Sequence, residues 1–107
     1  MGFVSLFSYT LNIQYSGELN SEDMTGYFVD EYKNNDGSLS NLAATQFQAT
    51  YARKAFPCFD EPQLKATFQV NMTVDDGLMA LSNMNVINIE ELENLKQKKY
   101  IFENSVK

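Results

Sequence analysis

The chemistry open to this chain is limited first by what it lacks. Its 107 residues include one cysteine, Cys58, and no histidine. A histidine-containing triad, a His-ligated metal and a disulfide within the chain are therefore excluded, which leaves carboxylate or lysine chemistry. Nothing is present to activate the Cys58 thiol, and its neighbours Phe56, Pro57 and Phe59 predict a buried, inert side chain. Arg53 near Asp60 and Glu61 has the makings of a charge constellation. A guanidinium fork between two carboxylates more often clamps a backbone than moves protons, so these residues are expected to fix a corner, with Lys54 at the surface. Asp75-Asp76 lacks the further spaced ligands of a calcium loop and reads as a solvated turn. Asn71-Met72-Thr73 is an N-glycosylation sequon, and Asn71 falls on the polar parity of its strand, so it is a candidate acceptor if the chain is secreted. Gln46 and Gln48 share one parity, which by periodicity alone is the solvent face of a strand.

These residues need elements to hold them, and alternation supplies most of those. Tyr9, Leu11, Ile13 and Tyr15 alternate with polar residues, predicting a strand over residues 9–16 with one buried face, extended backwards by Phe3 and Phe7. Residues 24–32 predict a second strand and residues 39–48 a third, joined by a hairpin at Asp36-Gly37. A helical turn is expected near residues 50–56, capped by Thr50 and ended by Pro57. Pro57 and Pro62, the only two prolines, make the following corner a rigid junction. Phe68, Val70, Met72 and Val74 mark another strand, which turns at Asp75-Asp76-Gly77 into a strand over residues 78–89. Beyond it, the spacing of Ile89, Leu92 and Leu95 fits a helix, whereas Tyr100-Ile101-Phe102 fits a strand; residues 89–103 are helix or hairpin. The expected fold is all-β, with six or seven strands and one helical turn.

A formal net charge of −6 and a pI near 4.4 argue against nucleic-acid binding. The cationic run at residues 96–99 sits among acids and reads as a solvated turn. At 44% hydrophobic residues the composition is that of a folded domain rather than a disordered chain. No apolar run approaches the ~20 residues of a membrane-spanning helix. The first eleven residues lack a secretion-signal pattern, and Leu6 stands where a myristoylation signal needs Ser or Thr.

The run TQFQATYARKAFPCFDEPQLKATF, residues 45–68, resembles the signature of the N-terminal domain of aminopeptidase N-like zinc metallopeptidases. Tyr15-x-Gly17-x-Leu19-Asn20, Met24-x-Gly26-Tyr27-Phe28, Leu42-Ala43-Ala44 and Ala80-Leu81-Ser82-Asn83-Met84 fall collinearly where that family has them. The resemblance covers residues 8–106, and the TYARKAFPCFDEP wording looks most like insect gut members. It implies a saddle-like antiparallel β-sandwich that closes one side of the substrate cavity over a thermolysin-like catalytic domain. In the family that domain grips the substrate amine with Gly-x-Met-Glu-Asn and binds zinc through His-Glu-x-x-His and a later Glu. None of these motifs occurs in this sequence. The chain therefore reads as a fragment of one N-terminal β domain, residues 1–107, with the catalytic domain absent, no zinc of its own and no activity alone. Zinc would belong to the parent enzyme, which removes amino-terminal residues from peptides.

One family role lands on these residues. The resemblance places Gln48 against the amino terminus of the peptide substrate, where its side-chain carbonyl accepts one ammonium hydrogen bond. As a neutral residue where some members have Glu, it adds no ion pair. Gln46 corresponds to a residue lining the pocket for the substrate's first side chain. The parent is expected to be extracellular and membrane-anchored, with a cytoplasmic parent as the alternative. A second reading is an extracellular binding module, a receptor surface for a foreign protein such as a bacterial toxin. An immunoglobulin-like domain is disfavoured, because there is no Trp and no Cys pair. A partial sheet leaves open edges, so marginal stability or self-association through exposed strand edges is also expected.

Overall fold

Strands form where the alternating pattern has an antiparallel partner close by in sequence. The computed structural model describes residues 7–107. They divide into two units, one ending at Pro62 and the other comprising Gln63–Lys107. The fold is nearly all β, as expected, with two antiparallel sheets and short 3-10 turns.

In the first unit, β1 (Gly26–Lys33) pairs with β2 (Leu39–Gln46) in unbroken register from Gly26↔Gln46 to Lys33↔Leu39. The Asp-Gly hairpin forms for local reasons. Asp36 Oδ1 accepts the Ser38 N–H at 2.9 Å and the Ser38 hydroxyl at 2.6 Å, and Gly37 takes the left-handed φ of +87° that side chains resist. Asn20 extends the other edge of β1 by a single parallel bridge, donating its N–H to the Tyr27 carbonyl and accepting the Val29 N–H.

Residues 9–16, predicted as a strand, make no ladder. Both parities are exposed, with Tyr9 at 89% and Leu11 at 80%. Alternation reports which residues could share a face, but a strand also needs a neighbour to take its N–H and C=O groups, and among the described residues this segment has none. Phe3 lies outside the described residues.

The helical turn is a 3-10 turn, Ala52–Lys54, within the predicted 50–56 window. Thr50 does not cap it. Tyr51 occupies the N-cap, and no side chain caps the turn. Backbone carbonyls take the donors instead: Tyr51 N–H to Phe47, Lys54 N–H to Tyr51 and Phe56 N–H to Ala52. A tight i→i+3 turn needs no side-chain cap when its first donor already bonds the incoming chain.

In the second unit, β3 (Asn71–Asp75), β4 (Val86–Leu92) and β5 (Gln97–Phe102) form a three-stranded antiparallel sheet in the order β3-β5-β4. Ala80, Tyr100 and Phe102 are its buried centre, with Val70, Met72, Val74 and Met84 packed around them. The predicted strand over residues 78–89 begins only at Val86, because residues 78–85 cross from β3 towards β4 and sink Ala80 and Met84 against the core. Residues 89–103 resolve as a hairpin. Its connection is a 3-10 turn, Glu93–Leu95, followed by Lys96 at φ +51°. The cationic run is accordingly the start of a strand rather than a solvated turn. Lys98 pairs with Asp76 at 3.5 Å and Lys99 with Glu90 at 3.8 Å, which supplies the acid partners the sequence suggested. Five strands are thus described, against the six or seven expected. No described helix is long and apolar enough to cross a membrane.

Candidate functional site

The predicted site residues lie where β2 runs out. The strand ends at Gln46, its last paired residue, opposite Gly26. Gln48 stands two residues beyond the ladder, so strand parity does not orient it. A contact joins the pair instead: Gln46 Nε2 donates to the Gln48 backbone carbonyl at 3.5 Å. Both side chains are exposed. The Gln48–Ala49 peptide is cis. Between the two glutamines, Phe47 turns inward and meets Phe56 edge-on, with ring centroids 5.8 Å apart and planes at 64°. This aromatic pair ties the end of β2 to the far side of the 3-10 turn.

The corner behind them is held by Arg53 and Asp60, as the charge pattern suggested. Arg53 Nε donates to Asp60 Oδ2 at 3.0 Å, its backbone N–H reaches the same oxygen at 3.1 Å, and Nη2 donates to the Asp60 carbonyl at 3.0 Å. One arginine thereby bonds both the side chain and the main chain of a residue past Pro57. The Arg53 hydrogen bond holds the Asp60 carboxyl below the usual carboxylate range. Glu61 stands outside this clamp; its backbone N–H bonds the Phe59 carbonyl. Cys58 is exposed, contrary to the buried thiol expected. Its aromatic neighbours misled: Phe59 is itself 85% exposed, because the proline-rich turn carries residues 57–59 outward rather than into a core.

The sequence reading missed a second clamp. Asn20 Nδ2 donates to Asp23 Oδ1 at 2.6 Å and to the Thr25 carbonyl at 3.0 Å, while Asn20 Oδ1 accepts the Glu22 N–H. The Thr25 hydroxyl donates to Asp23 Oδ1 and accepts a hydrogen bond from Lys54 Nζ at 2.8 Å. Lys54 also lies 5.0 Å over the Tyr51 ring and 3.9 Å from Asp23 Oδ2. It is exposed as expected, yet it fastens the 3-10 turn to the start of β1. Asn, Asp and Thr spaced to bond their own backbone are the available sequence signal for such a turn. Gly26 lets the two pieces close: at φ +71°, a Cβ there would stand 2.8 Å from Lys54 Cβ.

The remaining candidates belong to the second unit. Asn71 opens β3, exposed. Asp75 accepts from Gln97 Nε2 at 3.2 Å and Asp76 pairs with Lys98, which gives both turn acids structural partners. Among the described residues, no group of three or more His, Cys, Asp or Glu side chains could hold a metal ion. With no histidine in the sequence, these residues do not fit the zinc site that the resemblance implies for the parent.

Comparison with known proteins identifies the family. Residues 5–107 match the family model described as the peptidase M1 N-terminal domain. A puromycin-sensitive aminopeptidase of Caenorhabditis elegans is 48% identical over 97 residues, covering 91% of this chain and 10% of that protein. Endoplasmic reticulum aminopeptidase 1 of Mus musculus is 46% identical over 79 residues, 74% of this chain and 8% of the relative. Aminopeptidase N of Canis lupus familiaris is 47% identical over 76 residues, 71% of this chain and 8% of the relative. The chain thus spans about a tenth of the length of the curated relatives it matches. With a family match across nearly all of its residues, and aminopeptidases agreeing with it over seven-tenths of its length or more, the chain belongs to the peptidase M1 N-terminal domain family.

Proposed function

We propose that this chain forms part of the wall of an aminopeptidase substrate cavity, and that Gln48 and Gln46 are the residues it offers to the peptide's amino end. The observation that carries this reading is the family match across residues 5–107, which contains the exposed pair within its length. Gln48 contributes one carbonyl acceptor to the substrate ammonium, and Gln46 borders the first side chain. The Gln46 contact to the Gln48 carbonyl and the Arg53–Asp60 clamp support the same division of labour, with two residues facing the ligand and the corner behind them set in position.

The parent would remove amino-terminal residues from peptides. Its zinc would supply the activated water there, held by residues other than those of this chain. On this reading the 107 residues alone do not hydrolyse peptides. The test places Gln48→Ala in the parent enzyme. Because a neutral hydrogen bond to a charged group contributes about 1.5–3 kcal/mol, kcat/KM for an aminoacyl reporter should fall roughly ten- to hundredfold, with Gln48→Glu retaining activity. Unchanged kcat/KM in Gln48→Ala would remove Gln48 from the site. Zinc-dependent hydrolysis by the purified 107-residue chain would overturn the claim of inactivity.

A further inference from the structure

We propose that Asn71 is an N-glycan acceptor and that its glycan stands on the outward face of the β3-β5-β4 sheet without disturbing it. Asn71-Met72-Thr73 is the only Asn-x-Ser/Thr sequence in the chain with a residue other than proline between. The fold sorts its three residues. Val70, Met72 and Val74 pack against the Ala80, Tyr100 and Phe102 centre, so the alternation of a strand sends Asn71 and Thr73 to the opposite side. Both are exposed. β3 lies at the end of the strand order, paired through β5 alone, and Asn71 is its first residue, opposite Ile101. Among the described residues no side chain hydrogen-bonds the Asn71 carboxamide. A bulky substituent at Nδ2 therefore displaces no partner and enters no packed layer.

The chemistry is a glycosyl transfer from a lipid pyrophosphate-linked oligosaccharide. A bond forms between Asn71 Nδ2 and the anomeric carbon of the donor sugar, and that carbon's bond to the pyrophosphate oxygen breaks. The lipid pyrophosphate leaves, and the amide loses one proton to solvent. Thr73 takes part through its hydroxyl, which places the acceptor and the required hydroxyl residue on one face of one strand.

The experiment expresses the full chain behind a secretion signal in eukaryotic cells. We expect a single-glycan step in mass, removed by an N-glycosidase without prior denaturation. Asn71→Gln and Thr73→Ala should abolish the step, while Thr73→Ser keeps it. The melting temperature should be the same before and after enzymatic removal. A secreted wild-type chain without the step overturns the proposal. So does a glycan that the enzyme reaches only after denaturation, because the structure puts Asn71 on the open face.

Discussion

Arg53 and Asp60 show how little of a conspicuous charge pattern needs to be chemistry. Two guanidinium donors go to one carboxylate and one backbone carbonyl, which ties Arg53 to a residue beyond Pro57. Asp60→Asn should therefore lower the urea midpoint at pH 7. The pH dependence has a definite sign. The Asp60 carboxyl lies below its ordinary value when folded, so its contribution is present above the unfolded pKa of about 4 and is lost as pH falls through the lower folded value. Asp23, held down first by the Thr25 hydroxyl, and Asp36, held down first by the Ser38 hydroxyl, act in the same direction. Urea midpoints of wild type and Asp60→Asn should converge in acid; a gap that stays constant from pH 7 to pH 2 would detach Asp60 from the corner's stability. Gly26 gives a second residue-scale test. Alanine there must hold φ +71° and push into Lys54, and should cost about 1–2 kcal/mol or more. Gly17, with nothing within 4 Å of an added Cβ, should tolerate alanine. Equal melting temperatures for the two variants would contradict the packing of β1 on the 3-10 turn.

The elements were legible in the sequence to different degrees, and the differences have causes. The Asp36-Gly37 hairpin could be read because its reason is local: one carboxylate bonding two residues on, and one glycine with positive φ. The Arg53–Asp60 clamp could be read because a guanidinium fork and a carboxylate seven residues apart, with a proline between them, can bond each other across the turn. Residues 9–16 alternate as a strand would but form no ladder, since alternation identifies faces and never names a partner. The exposure of Cys58 was not legible, because apolar neighbours in sequence do not imply burial when a turn carries aromatic residues outward. The identities of Gln46 and Gln48 as site candidates came from the family signature; in periodicity they are two polar residues on a strand. Within the second unit, the sheet depends on very few side chains. Phe102 is 1% exposed and sits with Tyr100 and Ala80 at its centre. Phe102→Ala should cost about 3–5 kcal/mol, comparable with the whole stability of a unit this small. The expected result is loss of dispersed methyl signals for residues 63–107 in NMR spectra, and retention of those signals would contradict the core assignment. By contrast Lys99→Ala, which removes a half-exposed pair with Glu90, should cost only about 0.2–1 kcal/mol and less in high salt.

At the scale of the molecule, much apolar surface remains in contact with solvent. Leu78, Met79, Leu81 and Ile87 are each more than half exposed, and so are Tyr9, Leu11, Ile13 and Tyr15. Open backbone edges accompany them. β3 and β4 end the second sheet, and the first sheet has two strands. Such edges pair with other chains unless something blunts them. Self-association is therefore the expected behaviour of the isolated chain, and β4 is the strand at which to test it. Its bulge between Val86 and Asn88 leaves Ile87 57% exposed without a place in the register. Placing a charge there obstructs strand addition and leaves the Tyr100 and Phe102 core untouched. In sedimentation velocity, the wild-type weight-average mass should rise with concentration, and Ile87→Lys should shift that rise to higher concentration. A wild-type chain that sediments as a monomer at every concentration would show that the bulge and the charged Glu90 and Glu91 beside it already protect the edge.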